Sequence, residues 1–229
     1  MDAESVSYRY ERKFLVPAGN AASLPLRIRL NPGRFSPLFQ PRTVNNIYLD
    51  TPALRFYFLN VDGAADRTKV RIRWYGELFG RVEWPVLEFK FKHGLVGSKE
   101  SYPLPPFKFE PGFSGLLLRQ VLAAADLPNV ARQRLSGLEP ALVNHYQRAY
   151  FASPDERYRI TVDSNLAFRR VRPARNSFLC RSPKYDGRVL ELKYDHAHWQ
   201  GADEIVNALP FRLTRMSKYV FGLDCLDGY

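Results

Sequence analysis

The sequence predicts an α+β protein in which a few helices cover the apolar side of a strongly curved antiparallel sheet. Three observations carry that expectation. Segments in which apolar and charged residues alternate recur along the chain. Between them, a smaller number of stretches space their apolar residues as a helix does. No heptad, low-complexity run or Gly-Ser linker divides the 229 residues, so a single domain over residues 1–229 is the economical reading.

The first strand is expected near 8–16, where Tyr10-Glu11-Arg12-Lys13-Phe14 alternates loosely. A second, at 43–50, ends at Thr51-Pro52, and residues 53–61 then carry Leu54, Tyr57, Phe58 and Val61 at helical spacing. The clearest strand is 67–75. Its side-chain period of two places Arg71 and Arg73 on one face and Val70, Ile72 and Trp74 on the other, with Arg67 and Lys69 extending the cationic row. Strands at 82–92 and 98–104 flank a hairpin loop marked by His93-Gly94 and Gly97. Pro103, Pro105, Pro106 and Pro111 stiffen a connector into a helix at 114–126, where Leu116, Leu117, Arg119, Gln120 and Leu122 sort by face. Strands follow at 142–151, 157–163 and 188–194, with a further one at 166–170, and helices at 201–209 and 215–226 end the series.

On any single strand, alternation of this kind is what a half-solvated antiparallel strand shows. The sign of the charges argues for more. Like charges two residues apart on a strand lie about 7 Å apart and repel by about 2 kcal/mol at an effective dielectric near 20. An open, solvated face screens much of that. Several such rows in one chain nevertheless argue for an anionic occupant, as walls lined for a long polyanion would be. The whole composition agrees: 34 Lys and Arg against 23 Asp and Glu give a formal charge of +11, which points to nucleic acid, an anionic membrane surface or phosphate-rich small molecules. Cys180 and Cys225 are too few for a disulfide framework, no apolar run approaches the roughly 20 residues of a membrane span, and Met1-Asp2-Ala3-Glu4 does not read as a signal peptide. A soluble, cytoplasmic protein is expected.

Glu-x-Lys recurs at Glu11/Lys13, Glu88/Lys90 and Glu191/Lys193, each on an expected strand, so each carboxylate shares a face with its lysine. Such a pair is ordinarily charge balance worth a few tenths of a kcal/mol. The alternative is that the carboxylates hold Mg²⁺ or Mn²⁺, hard cations shared with substrate phosphates, while the lysines meet the phosphates directly. The pattern leaves both open.

Taken in order, Glu11-Arg12-Lys13-Phe14, Tyr48-Leu49-Asp50-Thr51-Pro52, Arg71-Ile72-Arg73-Trp74-Tyr75-Gly76, Leu87-Glu88-Phe89-Lys90, Lys99-Glu100, Tyr146-x-Arg148, Arg159-Ile160-x-Val162-Asp163, Leu190-Glu191-Leu192-Lys193 and Ser217-Lys218-Tyr219 make a specific set. Over nearly its whole length the chain resembles the vacuolar transporter chaperone (VTC) domain, a polyphosphate polymerase module of the CYTH-like triphosphate tunnel metalloenzyme superfamily. The resemblance implies an eight-stranded antiparallel β-barrel forming a through-tunnel, with helices packed outside. It implies transfer of the γ-phosphate of ATP to a growing inorganic polyphosphate chain, with Mn²⁺ or Mg²⁺. Lys218, Arg71 and Arg73 would be catalytic; Lys13, Lys90, Lys99, Tyr146, Arg148, Arg159, Lys193 and Ser217 would bind substrate; Glu191, with Glu11 and Glu88, would hold the metal. The wider superfamily opens with Glu-x-Glu-x-Lys, whereas this chain has Arg9-x-Glu11-x-Lys13, a departure that fits the VTC branch better than the hydrolytic ones. Eukaryotic members also carry an SPX domain and a membrane segment; neither is visible here, so membrane coupling would come from a separately encoded membrane protein.

Two other functions compete. The same fold could hydrolyse tripolyphosphate or another triphosphate, with water as acceptor, or the chain could be a non-catalytic polyphosphate- or nucleic-acid-binding module. RNA binding would favour aromatics among the cations on one face, yet Trp74 and Phe89 fall on the opposite one. His196-x-His198 lacks a third zinc ligand nearby and reads as incidental. The run Arg169, Arg170, Arg172, Arg175 and Arg181 reads as a solvated loop face, or else as a basic mouth that attracts polyphosphate or an anionic membrane.

Overall fold

The computed structural model of the chain describes residues 9–94, 96–178 and 183–227; Cys180 and Arg181 lie outside them. The strands are β1 (Arg9–Val16), β2 (Ser36–Asp50), β3 (Asp66–Tyr75), β4 (Gly80–Val82), β5 (Val86–His93), β6 (Val96–Pro103), β7 (Phe107–Phe109), β8 (Glu139–Ala152), β9 (Tyr158–Arg170), β10 (Lys184–Tyr185), β11 (Arg188–Asp195) and β12 (Leu213–Thr214). The helices are α1 (Leu24–Arg29), α2 (Arg55–Val61), α3 (Gly115–Ala124), α4 (Asn129–Leu135), α5 (Trp199–Asn207) and α6 (Lys218–Asp227). This is the α+β class expected, built on a large antiparallel sheet. The eight-stranded closed barrel is not what the pairings draw. Among the described residues they follow an open order, β12-β1-β11-β9-β8-β2-β3-β5-β6, with β10 beside β9 and β4-β7 as a separate pair. The strands beyond the expected set are two- or three-residue pairings, too short for alternation to announce. No helix among the described residues is long and apolar enough to cross a membrane.

The chain gathers into two compact units. One runs up to Arg42 and takes in Gln147–Leu166 and Tyr185–Met216. Within it β11 pairs with β1 on one side and β9 on the other, so Phe14, Leu190 and Val162 stand side by side, as do Leu192 and Ile160. That apolar face packs on Leu24 and Ile28 of α1 and on Ala202 and Ile205 of α5. Asn31, buried, donates to the Ile205 carbonyl at 3.0 Å and ties the end of α1 to α5.

The other unit comprises Thr43–Tyr146, Ala167–Lys184 and Ser217 onward. Here β3 pairs with β2 and β5, and β5 with β6. Ile47, Leu49, Val70, Ile72, Trp74, Leu87 and Phe89 form one apolar face, covered by Leu118 of α3, Ala131 of α4 and the Phe107, Phe109, Phe113 group. Asn176 pins the segment after β9 to this core: its amide donates to the carbonyls of Phe113, Arg172 and Ala174 at 2.9–3.0 Å.

The same unit holds an unusual helix start. α2 begins after Leu54, whose φ of 54° lies in the left-handed region and whose side chain cannot cap. The orphan amides of the first turn are met instead from Asp50 and Thr51. Asp50 accepts from Phe56 N and Tyr57 N, both at 2.9 Å, and Thr51 Oγ1 accepts from Arg55 N at 3.0 Å. The Asp-Thr-Pro of the sequence motif is therefore a cap displaced upstream by a tight turn.

Candidate functional site

Opposite residues in an antiparallel sheet point to the same side, so the strand registers assemble each unit's polar face row by row. In the second unit one row sets Tyr48, Arg71, Glu88 and Ser101 across β2, β3, β5 and β6, and the next sets Lys69, Lys90 and Lys99 across β3, β5 and β6. Arg67 and Lys92 form the row beyond, and Asn46 stands opposite Arg73.

Glu88 is the centre of this face. Its Oε2 accepts from Arg71 Nε and Nη2, both at 2.6 Å, with Arg73 Nη1 at 3.9 Å, and its Oε1 meets Lys99 Nζ at 3.3 Å. Burial would raise the pKa of this carboxyl, but Arg71, Arg73 and Lys90 override it and hold the group at about 2. Arg71, 8% exposed, is disfavoured as a cation by burial, and Tyr48 and Glu88 more than restore the charge, holding its pKa above the ordinary arginine value. Arg73 donates from Nε to Asn46 Oδ1 at 2.8 Å and from Nη2 to the Tyr146 hydroxyl at 3.4 Å. Asn46 in turn donates to Asn144 Oδ1 at 2.8 Å, which fixes the orientation of both amides. At the end of this relay the buried Asn144 Nδ2 has no hydrogen-bond partner among the described residues, so the face ends in a donor that calls for an acceptor. Lys218, the first residue of α6, places its Nζ 5.3 Å from the centre of the Tyr146 ring.

In the first unit the rows are Lys13, Glu191 and Thr161, then Glu11, Lys193 and Arg159, across β1, β11 and β9. Glu191, 5% exposed, meets Arg148 Nη2 at 3.4 Å, Lys193 Nζ at 3.5 Å and Lys13 Nζ at 3.9 Å, and accepts from Thr161 Oγ1 at 3.5 Å. Arg148 is forked onto Asp163, Nε to Oδ1 at 2.6 Å and Nη2 to Oδ2 at 2.7 Å. Glu11 pairs with Lys13 at 2.9 Å. Burial and the nearby Glu191 charge push its pKa up, yet Lys13 and Lys193 outweigh them and leave it below the ordinary value.

These faces account for most of the predicted site residues. Arg71, Arg73, Glu88, Lys90, Lys99, Tyr146 and Lys218 come together in one unit, and Glu11, Lys13, Arg148, Glu191 and Lys193 in the other. Arg159 is in register with Lys193, but its guanidinium is more than half exposed and pairs with Glu156 at 3.0 Å. Ser217 precedes α6, where its hydroxyl lies 3.5 Å from Val220 N, the place of a helix cap. Trp74 and Phe89 are core residues, as their strand phase demands.

The sequence matches the VTC domain family over residues 8–227. The chain belongs to the VTC domain family. Two solved structures are similar in fold. The PH1819 protein from Pyrococcus horikoshii OT3 is 12% identical, with a TM-score of 0.51 over 95% of this chain and 99% of that one. A protein from Vibrio parahaemolyticus put forward as an adenylate cyclase is 12% identical, with a TM-score of 0.50 over 94% and 98%. At that identity the likeness is one of fold alone. Comparison with curated protein sequences finds no match.

VTC domains belong to a superfamily that generally uses divalent metals. No group of three or more His, Cys, Asp and Glu side chains among the described residues could cage an ion. A phosphate-bridging Mg²⁺ or Mn²⁺ does not need a cage, because one or two carboxylates suffice when phosphates complete the shell. Glu191 and Glu11 come nearest to that requirement: they lie close enough for each to feel the other's charge, and Lys13, the cation they share at 3.9 and 2.9 Å, has a flexible stem that can turn to phosphate. Glu88 fits it poorly, since Arg71 and Lys99 occupy both of its oxygens.

Reading along the sequence missed Tyr48, Asn46, Asn144, Thr161 and Asp163. A stricter walk in steps of two from Arg159 reaches Thr161 and Asp163, and from Asp50 it reaches Tyr48 and Asn46. That walk places these four on the polar faces, as neutral or acidic residues among cations, but it does not reach Asn144 and does not say which partner each one meets.

Proposed function

We propose that this VTC domain is an ATP-dependent polyphosphate polymerase, transferring the γ-phosphate of ATP to the end of an inorganic polyphosphate chain. The observation that supports this most is the cation row Lys69, Lys90 and Lys99 beside the buried Arg71–Glu88 pair. Like charges set directly opposite across strands repel one another, and a chain of phosphates is a ligand that would relieve that repulsion. The through-tunnel of a closed barrel, and its working as one domain, are part of the same proposal.

The chemistry asks little else of the protein. A terminal oxygen of the acceptor, already anionic, attacks the γ-phosphorus. The bond from that phosphorus to the β,γ-bridging oxygen breaks, and ADP leaves with the electron pair. No proton need move, so positioning and charge neutralisation supply the rate. Arg71 and Arg73, held rigidly by Glu88, Tyr48 and Asn46, would present fixed donors to the equatorial oxygens of the transferring group, with Lys218 opposing the developing charge. Lys13, Lys90, Lys99, Arg148 and Lys193 would hold flanking phosphates, and Asn144 could donate to one. Glu191 with Glu11 would hold Mg²⁺ or Mn²⁺, which neutralises phosphate charge when bound.

Incubation with ATP and Mn²⁺, followed by separation of polymer from free phosphate, tests this reading. Polymer formation supports it. Free phosphate alone would identify a triphosphatase, and no turnover together with tight polyphosphate binding would identify a binding module.

A further inference from the structure

We infer that Asp50 and Tyr219 are positioning residues that set the place of Lys218 and brace Arg71. The inference rests on the polymerase reading for what Lys218 does, and on geometry alone for where it stands. Asp50 is 1% exposed and close to saturated. Its carboxylate accepts from Thr51 N at 2.7 Å and from the first-turn amides of α2, and Oδ2 also takes the Tyr219 hydroxyl at 2.5 Å. That last contact is short, as bonds to a charged acceptor are. Burial, and then Asp50 itself, push the Tyr219 hydroxyl well above the ordinary tyrosine pKa, so it stays a donor.

Tyr219 is the second residue of α6, directly after Lys218, so whatever fixes Tyr219 fixes the backbone that carries the lysine. A second tie holds the far end of the helix: Tyr57, on α2, donates to Asp224 at 2.7 Å. The Tyr219 ring also stacks on Tyr48, ring centres 5.0 Å apart, and Tyr48 is hydrogen-bonded to Arg71. One carboxylate thus joins the start of α2 to the start of α6, and through two stacked rings it reaches the buried guanidinium.

Capping α2 alone would not require Tyr219. A capping aspartate needs amide donors, and Asp50 has three. The hydroxyl adds a contact 169 residues away in sequence, to the one helix that starts with a proposed catalytic cation.

The test is Tyr219→Phe, which keeps the stack and removes only the hydroxyl, with Asp50→Asn as the stronger perturbation. The first readout needs no activity. In ¹³C-lysine-labelled protein the Lys218 side-chain resonance, assigned by its loss in Lys218→Arg, should be displaced upfield by the Tyr146 ring. Tyr219→Phe should abolish that displacement while circular dichroism shows a folded protein. The second readout is turnover. With polymerase activity in hand, kcat should fall on the order of 10²-fold, the scale of a small misplacement. In a Lys218→Ala background Tyr219→Phe should then cost nothing further. An unmoved Lys218 resonance in Tyr219→Phe, or a kcat loss fully additive with Lys218→Ala, overturns the inference. If the resonance moves as expected but the wild-type protein makes no polymer, positioning stands and the polymerase reading falls.

Discussion

Glu88→Gln is the substitution with the largest expected consequence for stability. The carboxylate neutralises Arg71 at 2.6 Å, with Lys99 and Arg73 at 3.3 and 3.9 Å, and is 5% exposed. Its pKa of about 2, against an ordinary 4.5, corresponds to roughly 3 kcal/mol at about 1.4 kcal/mol per pH unit. The folded value lies below the unfolded one, so this stability is present in full above about pH 4.5 and drains away as pH falls toward 2. Glutamine keeps the volume and one carbonyl oxygen but leaves Arg71 buried without its counter-charge. Urea denaturation at pH 7 should therefore show the variant less stable by roughly 3 kcal/mol, with the two proteins converging near pH 2. Added tripolyphosphate should restore part of the difference, because its oxygens can take over the neutralisation. A loss under about 1 kcal/mol at pH 7, or the same loss at pH 7 and pH 2, would refute the reasoning: Glu88 would then be no more than a surface partner.

Glu191→Gln should lower metal-dependent turnover by about 10²-fold or more while polyphosphate still binds without metal; normal turnover in titrations of Mn²⁺ would remove Glu191 from the metal. Asp163→Asn takes the fork from Arg148, whose side chain is 10% exposed, and should cost about 3 kcal/mol or more in urea denaturation. Tripolyphosphate should raise Tm strongly, by an amount that shrinks with added salt. No shift with tripolyphosphate beside a clear shift with single-stranded RNA would point to nucleic acid instead.

The strands that alternate cleanly were legible to within a residue or two: 67–75 became Asp66–Tyr75 and 188–194 became Arg188–Asp195. Where alternation is absent, so was the signal. β2 starts at Ser36 rather than 43 because its first half, through Pro37 and Pro41, is mostly exposed and has no apolar face to repeat. α1 and α4 escaped notice for a different reason: they are six and seven residues long, with Pro25 inside the first turn of one and Pro128 capping the other. The cations of the candidate site stood out by type and spacing. Their partners did not. Asp163 matters because β8 and β9 bring it to Arg148, and Asn144 matters because Asn46 and Arg73 reach it across strands, facts of register that no linear reading supplies. Asp50 lay inside a motif, yet its work depends on Tyr219 at the other end of the chain.

The pairing of β3 with β5 has one more consequence, for how the chain finds its fold. A slip of one residue between them would turn Arg67, Lys69, Arg71 and Arg73 together toward Phe109 and Phe113, and Val70, Ile72 and Trp74 toward water. Each misplaced cation would cost several kcal/mol, so misthreaded pairings are expelled early and in bulk rather than corrected one contact at a time. The lysines and arginines would therefore act as a check on register during folding, besides the role proposed for them in binding phosphates. Variants stripped of these charges to weaken ligand binding would lose that check, and would populate slipped, aggregation-prone pairings that the charged strand cannot enter.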